Sequence, residues 1–472
     1  LQCAAVVGRL FWDAAVSEVS AEERQKVRAT LDAISGREMI FWQEHSAFAG
    51  TQEYAFKHTL LHDVTYETVL LKLRRDYHAR TARWLETHAG ERISEYAGLI
   101  AGHLERANLT EPAIHYLRLA GERALGAYAY REAADYFKRA LSHIPDENIE
   151  RTPLLVQLGE TMWYLGEYEQ AQTCLQEGLA LGGKHGQAEH LSDALVHLGA
   201  IARKQGNWAQ ARAHLTESLA IARQVGNQNK IANALHNLAW VDIRQGAYLE
   251  ARVQLAESRL LYQAQDNRSG LADVLNGLGT VALNLGEYDE TRQLYQESLA
   301  IFHEVGDRPG ESAALVNLGE AARRQGDYTA ARNYYETALR IDHEIGDELL
   351  AAMTLGNLGH TSLACQDYAA AEEYYRKGLQ AALEINDLPD MLDILAGLAG
   401  VLLQTARIEQ ALTILGAVLS HPALEDESRA IADQALETLP TSLSPQEIEA
   451  GLASGRSHTL ENIIKKLLAI PG

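Results

Sequence analysis

Leu318-Gly319-Glu-Ala-Ala-Arg-Arg-Gln-Gly326-Asp-Tyr328-Thr-Ala-Ala331 decides how this chain folds, because its pattern returns every 40 residues. The leading pair recurs at Leu158-Gly159, Leu198-Gly199, Leu238-Ala239, Leu278-Gly279, Leu358-Gly359 and Leu398-Ala399. Seven residues after the small member comes Gly166, Gly206, Gly246, Gly286 or Gly326. An aromatic follows at Tyr168, Trp208, Tyr248, Tyr288, Tyr328 and Tyr368, and small residues at Ala171, Ala211, Ala251, Ala331 and Ala371, with Thr291 the larger member. A fixed period of this length marks a repeat array in which each unit buries its apolar face against its neighbours.

Within a unit the columns predict two helices. The Leu-Gly pair allows close helix approach, the second Gly ends helix A in a left-handed residue, and the aromatic wedges between the helices. Helix B buries the Ala column and carries a large residue at Leu215, Leu255, Tyr295, Tyr335 and Tyr375. A second loop closes each unit at Gly226-Asn227, Asp266-Asn267, Gly306-Asp307, Gly346-Asp347 and Asn386-Asp387. In order and kind these columns resemble the tetratricopeptide repeat, lengthened from its usual period of about 34 residues. Tyr130 to Leu141 repeats the helix-B pattern at an offset of 38 from Tyr168, and His103 to Ala120 reads as a looser hairpin. The expected fold is all-α: about nine hairpins over residues 93–422, coiled as a right-handed superhelix with the A helices on its concave face.

Composition agrees and excludes other classes. Nine Pro stand where average usage gives roughly 24, as helical interiors require. A net charge of −22 opposes binding to nucleic acid or to an anionic membrane. Cys3, Cys174 and Cys365 are too sparse for a disulfide framework or a thiolate metal site. No apolar run is long enough to span a bilayer. A cytoplasmic protein is expected, and Leu1 in place of Met suggests a piece of a longer one.

Residues 1–92 lack the period. Leu1 to Val19 and Ala21 to Ser35 read as helices, the second opened by a Ser20-x-x-Glu23 capping box. Arg37 to Gln43 and Gln52 to Lys57 read as two strands of a wing, and Thr59 to Leu71 and Arg74 to Glu86 as helices. This order suggests a winged-helix module. At the other end, residues 423–472 read as a helical cap. There Ser444-Pro445-Gln-Glu447 starts a helix, and Leu460, Ile463, Ile464, Leu467 and Leu468 share one face.

Three stretches carry a further resemblance: Leu1 to Trp12 with Gly8-Arg9, Tyr54-Ala-Phe56-Lys-His58-Thr-Leu60 to Tyr66, and Arg74 to His78 with Ala120 to Ala124. Together with Leu415-Gly416-Ala417 and Gly455-Arg456, they are similar to the region that follows the ATPase in STAND signal-transduction ATPases. The likeness is to bacterial regulators of the adenylate-cyclase/AAA/tetratricopeptide and maltose-activator type. The resemblance implies a sensor that binds a protein, a peptide or a small inducer and relays it through the winged helix to an upstream NTPase in cis. ATP or ADP would belong to that NTPase, with oligomerisation on activation. It also implies that His58 contacts the nucleotide, although Thr59 follows it where a Met-His-Asp form has Asp. The alternative is a constitutive scaffold or adaptor without a switch.

No catalytic constellation is present. Gly178 to Lys184 fits the first part of a P-loop, but His185 replaces Ser or Thr and the stretch ends a helix. His303-Glu304 and His343-Glu344 lack a second His for zinc. The chain is therefore expected to be no enzyme, with no cofactor or metal of its own. Ligand recognition is expected on the A helices. Numbering each A helix so that the small residue of the pair is position 8, positions 2, 5, 6, 9, 12 and 13 share the face opposite the Leu column. The candidates are His197, Arg203, Asn233, His236, Asn237, Trp240, Arg244, Asn276, Asn317, Glu320, Arg324, Asn357 and His360. Amides that both donate and accept suit the unpaired backbone of an extended peptide. The same Asn column would equally serve to bond neighbouring units, and the Arg residues suit the negative ends of helix dipoles.

Overall fold

The computed structural model describes residues 1–385, 387–424 and 426–469, which form two compact units, Leu1–Ile201 and Ala202–Gly472. Unit 1 opens with α1 (Gln2–Val7), β1 (Leu10–Trp12), α2 (Asp13–Ser20), α3 (Arg24–Ser35), β2 (Ile40–Trp42), β3 (Glu53–Phe56), α4 (Thr59–Glu67) and α5 (Leu71–Ala89). The three strands form one antiparallel sheet in the order β1-β3-β2, with Phe11 opposite Tyr54 and Phe41 opposite Ala55.

Two expectations for this region are corrected. The first helix stops at Val7 because Gly8 sits at φ 151°, ψ −178°, a conformation that essentially only glycine adopts. The chain leaves it extended, so Leu10–Trp12 becomes a third strand where the apolar spacing had suggested helix. The capping box is the second. Ser20 Oγ donates back to Val16 O at 2.7 Å, and Ala21 at φ 55° ends α2 there, so Ser20 closes one helix instead of opening the next.

Phe11, Trp12, Tyr54, Phe56, Trp84 and Leu85 build the core of this region, with Trp12 stacked on Trp84 at 5.4 Å. The same core takes in Ile100, Leu104 and Ala113, so packing is continuous past residue 92. The hairpins follow: α5 with α6 (Ile93–Ala107), α7 (Thr110–Gly126) with α8 (Tyr130–Ser142), and α9 (Arg151–Tyr164) with α10 (Tyr168–His185). α5 thus packs on α6 from inside the stretch that lacks the sequence period. Residues 103–120 span the turn between α6 and α7, which pack on each other as the looser hairpin expected, and a Cβ on Gly121 of α7 would lie 2.5 Å from the Phe137 ring of α8. The helix α11 (Ala188–Lys204) contains the division between the units.

Unit 2 continues with α12 (Trp208–Val225), α13 (Gln228–Arg244), α14 (Tyr248–Ala264), α15 (Arg268–Asn284), α16 (Tyr288–Val305), α17 (Arg308–Arg324), α18 (Tyr328–Ile345), α19 (Glu348–Ala364), α20 (Tyr368–Ile385), α21 (Leu388–Gln404) and α22 (Ile408–Leu419). Each A helix packs on its own B helix and on the B helix before it. Successive A helices from α13 to α21 also touch, and among the described residues successive B helices do not approach as closely, so the A helices form the inner wall.

The role of the glycine in the leading pair is specific. A Cβ on Gly279, Gly319 or Gly359 would lie 2.5 to 2.6 Å from the ring of Tyr295, Tyr335 or Tyr375, sixteen residues on. Where the partner is Leu255 or Leu415, the small residue is Ala239 or Ala399. The residue wedged between helices is therefore this fully buried large one. The aromatic that starts helix B is half-buried, and Tyr288 is 38% exposed.

The turn after helix A is left-handed at Gly286 and Gly326, both at φ 79°, and the same turn is kept at Gln366 (φ 62°) and Ala406 (φ 59°). Asn227, Asn267, Asp307, Asp347 and Asp387 each accept a backbone N–H three residues on, which caps the next A helix. The expected loop residue Asn386 lies outside the described residues.

The terminal cap is helical, with α23 (Asp426–Glu437), α24 (Pro445–Arg456) and α25 (Leu460–Ala469). Ser444 and Glu447 form the reciprocal capping box, and Ile463, Ile464 and Leu467 bury against the last repeats. Gly416 and Gly455 let α22 and α24 meet backbone to backbone.

Candidate functional site

The inner wall of unit 2 is narrower than the six positions expected. Position 5 is buried at Val316 and Ala396, and position 12 at Ile243 and Leu283. The accessible stripe is 2, 6, 9 and 13, whose spacing of four, three and four residues keeps one helix face. Positions 5 and 12 flank it and turn into the seam with the next repeat. His236, Asn276 and Arg323 are exceptions that keep partial exposure.

On α13, Asn237 Nδ2 donates to Asn233 O and to Asn233 Oδ1, both at 2.9 Å, and Trp240 Nε1 donates to His236 Nε2 at 2.8 Å. Burial, with the Arg203 charge nearby, lowers the His236 pKa to about 4, so its ring is neutral and accepts from Trp240. Asn317 Nδ2 on α17 donates to Asn276 Oδ1 on α15 at 2.9 Å, joining consecutive repeats. The Asn357 side chain makes no hydrogen bond among the described residues, and is half-buried on the same stripe.

Glu320 gathers the positive charge of α17. It accepts from Arg323 Nε and Nη2 at 2.8 Å each and from Arg324 Nε at 2.7 Å. Burial opposes ionisation of Glu320, but these two guanidinium groups outweigh it and its pKa falls. Arg324 also reaches Asn284 on the preceding A helix at 3.4 Å. The arginines are thus tied to a carboxylate of their own helix, more than the dipole argument alone required. Arg244 lies exposed at the end of α13, and Arg203 is half-buried at the end of α11.

His360 is held from both sides. Its Nδ1 faces Tyr375 Oη at 2.8 Å and its Nε2 faces Asp393 Oδ2 at 2.7 Å, and Asp393 accepts from Ser428 Oγ at 3.0 Å. Asp393 stands at position 2 of α21, a column expected to face inward, yet no sequence signal linked it to His360 across 33 residues.

Two candidates lie in unit 1. His197 Nε2 on α11 is 3.9 Å from Glu160 on α9, with Trp163 beside it. His58 is exposed at the N-cap of α4 and its side chain makes no cap bond. None of the residues of α4 is buried, and Leu60, Val64, Leu70 and Leu71 nearby are between 55% and 74% exposed. Among the described residues no three His, Cys, Asp or Glu side chains group as metal ligands, and no helix is long and apolar enough to cross a membrane.

Tetratricopeptide-repeat family models match residues 190–264, 270–344 and 351–386. The fold is similar to that of a signal transduction ATPase with numerous domains from Pyrococcus horikoshii that has a tetratricopeptide repeat sensor. The likeness has a TM-score of 0.55 at 14% identity and covers 92% of this chain and 64% of that one. It is also similar to the Rap conjugation gene regulator of plasmid pLS20, solved with a Phr peptide, at TM-score 0.51 and 15% identity over 60% of this chain and 76% of that one. An uncharacterised protein of Rhizobium meliloti (strain 1021) is 33% identical over 92 residues, which is 20% of this chain and 9% of that protein. The chain thus spans less than two thirds of the length of the Pyrococcus horikoshii protein and a small part of the rhizobial one. Column spacing, helix packing and family models agree that this chain carries a tetratricopeptide-repeat α-solenoid.

Proposed function

We propose that the chain is the ligand-recognising region of a STAND-type regulator, and that an extended peptide or protein segment binds along the inner wall of unit 2 between Asn233 and His360. One observation carries this reading: the stripe of half-buried amides at Asn237, Asn317 and Asn357 runs across repeats, with rigidly held His236, Trp240 and His360 beside it. Amides on one stripe match the alternating donors and acceptors of an extended main chain. The likeness to a regulator solved with a bound peptide supports the reading at the level of fold. On this proposal the chain performs no chemistry, holds no cofactor, and any nucleotide belongs to an NTPase upstream in the same polypeptide.

The relay is part of the same proposal. Residues 1–92 would act as a winged-helix module, with exposed His58 and the uncovered face of α4 turned to the NTPase. A second reading, a constitutive scaffold, is favoured by one fact: Asn317 and Asn237 take partners within the array, Asn276 and Asn233.

The test pairs two measurements. Peptide fractions of a native lysate are screened against the intact chain by thermal shift, the active peptide is identified, and its synthetic form is titrated against the Asn237→Ala, Asn317→Ala, Asn357→Ala triple variant. Loss of at least tenfold in affinity is expected, about 1.4 kcal/mol. Unchanged binding by the triple variant would refute the groove. Release of labelled ADP from the full-length protein, faster with peptide than without, separates switch from scaffold.

A further inference from the structure

A cavity of about 390 Å³ opens in unit 1, lined by Glu122, Leu125 and Gly126 of α7, Tyr128 of the following turn, Tyr130 of α8, and Glu160 and Tyr164 of α9. Its size falls in the range of small-ligand pockets. The walls are aromatic: Tyr130 stacks on Tyr164 at 4.7 Å with the rings 8° from parallel, and Tyr128 meets Tyr130 edge-on at 6.3 Å. Tyr128 holds its ring there at φ 60°, a left-handed conformation that a bulky residue adopts only at a cost. Tyr164 and Tyr128 are 43% and 39% exposed.

The polar groups are carboxylates. No Lys or Arg lines the cavity. Glu122 accepts from Gln157 Nε2 at 2.9 Å and lies 3.3 Å from Arg118 outside the lining, and Glu160 has His197 at 3.9 Å. On α9, between and beside these groups, Gln157 Oε1 is buried and receives no hydrogen bond. The charged groups that line the space are thus both carboxylates, beside three tyrosine rings whose hydroxyls can donate as well as accept. An anionic ligand is repelled by Glu122 and Glu160, and an uncharged apolar one gains nothing from them. A cation over tyrosine faces gains from both the ring quadrupoles and the carboxylates.

The geometry points to a binding site for an ammonium or guanidinium group, separate from the unit 2 groove and independent of the peptide reading above. Two sources share that chemistry: a free small amine, or the cationic side chain of a peptide. The aromatic trio fixes the class, and the source is read by experiment.

The intact chain is titrated at constant ionic strength with tetramethylammonium, with acetyl-argininamide and with neopentyl alcohol as the uncharged counterpart. Binding is read by calorimetry and by the fluorescence of Trp163, whose ring meets Tyr164 at 4.8 Å. At least one cation is expected to saturate while neopentyl alcohol does not. Tyr164→Leu is expected to weaken the cation about tenfold and Tyr164→Phe by much less, because the ring face is kept. Preference for tetramethylammonium indicates a free amine, and preference for acetyl-argininamide a peptide side chain. Equal binding of neopentyl alcohol, no saturation by either cation, or undiminished binding by a folded Tyr164→Leu chain would each overturn the site.

Discussion

The amide of Asn317 reaches back across one repeat to Asn276, donating Nδ2 to Oδ1 at 2.9 Å, and so couples α15 to α17 on the face where a ligand is proposed to lie. Truncating one partner leaves the other half-buried without its bond. Asn317→Ala is expected to cost about 1 kcal/mol of stability. Asn276→Ala should cost the same, and the double variant little more than either. Chemical denaturation of the four chains measures the coupling, and full additivity would show that the bond contributes nothing.

Gly319 has no room for a methyl group, since a Cβ there would lie 2.6 Å from Tyr335 Cε1. Helix propensity alone favours Gly319→Ala by about 1 kcal/mol. Overpacking a rigid ring against a rigid helix opposes this by about 1–3 kcal/mol, so net destabilisation is expected. Adding Tyr335→Leu should recover most of the loss, because Ala239 with Leu255 is this chain's own version of that pair. Calorimetric melting of the single and double variants decides it.

At Gln366 the turn keeps φ 62° although the residue is not glycine. Gln366→Gly relieves that conformation, and an increase in stability of about 0.5–1 kcal/mol is expected. Ala406→Gly, at φ 59°, should act in the same direction. A lower melting temperature in both variants would contradict this account of the turn.

His78 and His103 are buried between α5 and α6 with Nδ1 atoms 2.8 Å apart, and Tyr66 Oη lies 3.0 Å from His78 Nε2. Burial, with Arg106 and Arg74 nearby, lowers the His78 pKa to about 4. Burial, with His78 and Arg106, lowers that of His103 to about 3. Both groups bind protons more readily in the unfolded chain, whose reference is 6.5. Their contribution is therefore fully present above pH 6.5 and is lost as pH falls toward 4. For His78 alone the loss is on the order of 3 kcal/mol. Hydrogen exchange of peptides from α5 and α6 should quicken across that window, and His103→Gln should flatten the dependence.

Asp13 is fully buried while pairing with Arg24 at 2.9 Å and Arg28 at 3.1 Å, and it accepts the backbone N–H groups of Ala14 and Gln52 at 2.8 and 2.9 Å. It ties α2 to α3 and to the entrance of β3. Asp13→Ala takes the acceptor from two N–H groups, while Arg24 and Arg28, 42% and 48% exposed, return to solvent, and a loss of about 1–3 kcal/mol is expected. Retention of near-wild-type stability in urea would show that the cluster is incidental.

Sequence by itself determined the array, because a repeat writes its packing once per period. Leu318-Gly319, Gly326, Tyr328 and Ala331 each recur where the same contact recurs, so column reading located the helices and their turns. It also placed the candidates at positions 2, 6, 9 and 13 on one helix face, since that follows from helical geometry alone, but it counted the flanking positions of Arg203, His236 and Asn276 in that face. It could not assign the third strand. Apolar spacing over Leu1 to Val19 is compatible with helix, and the break depends on the backbone angles of Gly8. Only tertiary structure decided which partner each inward side chain takes. Asn317 finds Asn276 at a separation of 41 residues and His360 finds Asp393 at 33, distances that depend on how one repeat rotates on the next. The unit 1 cavity was hidden for the same reason. Glu122, Tyr130 and Tyr164 belong to three helices, and their chemistry becomes a site only where those helices bring one ring against another.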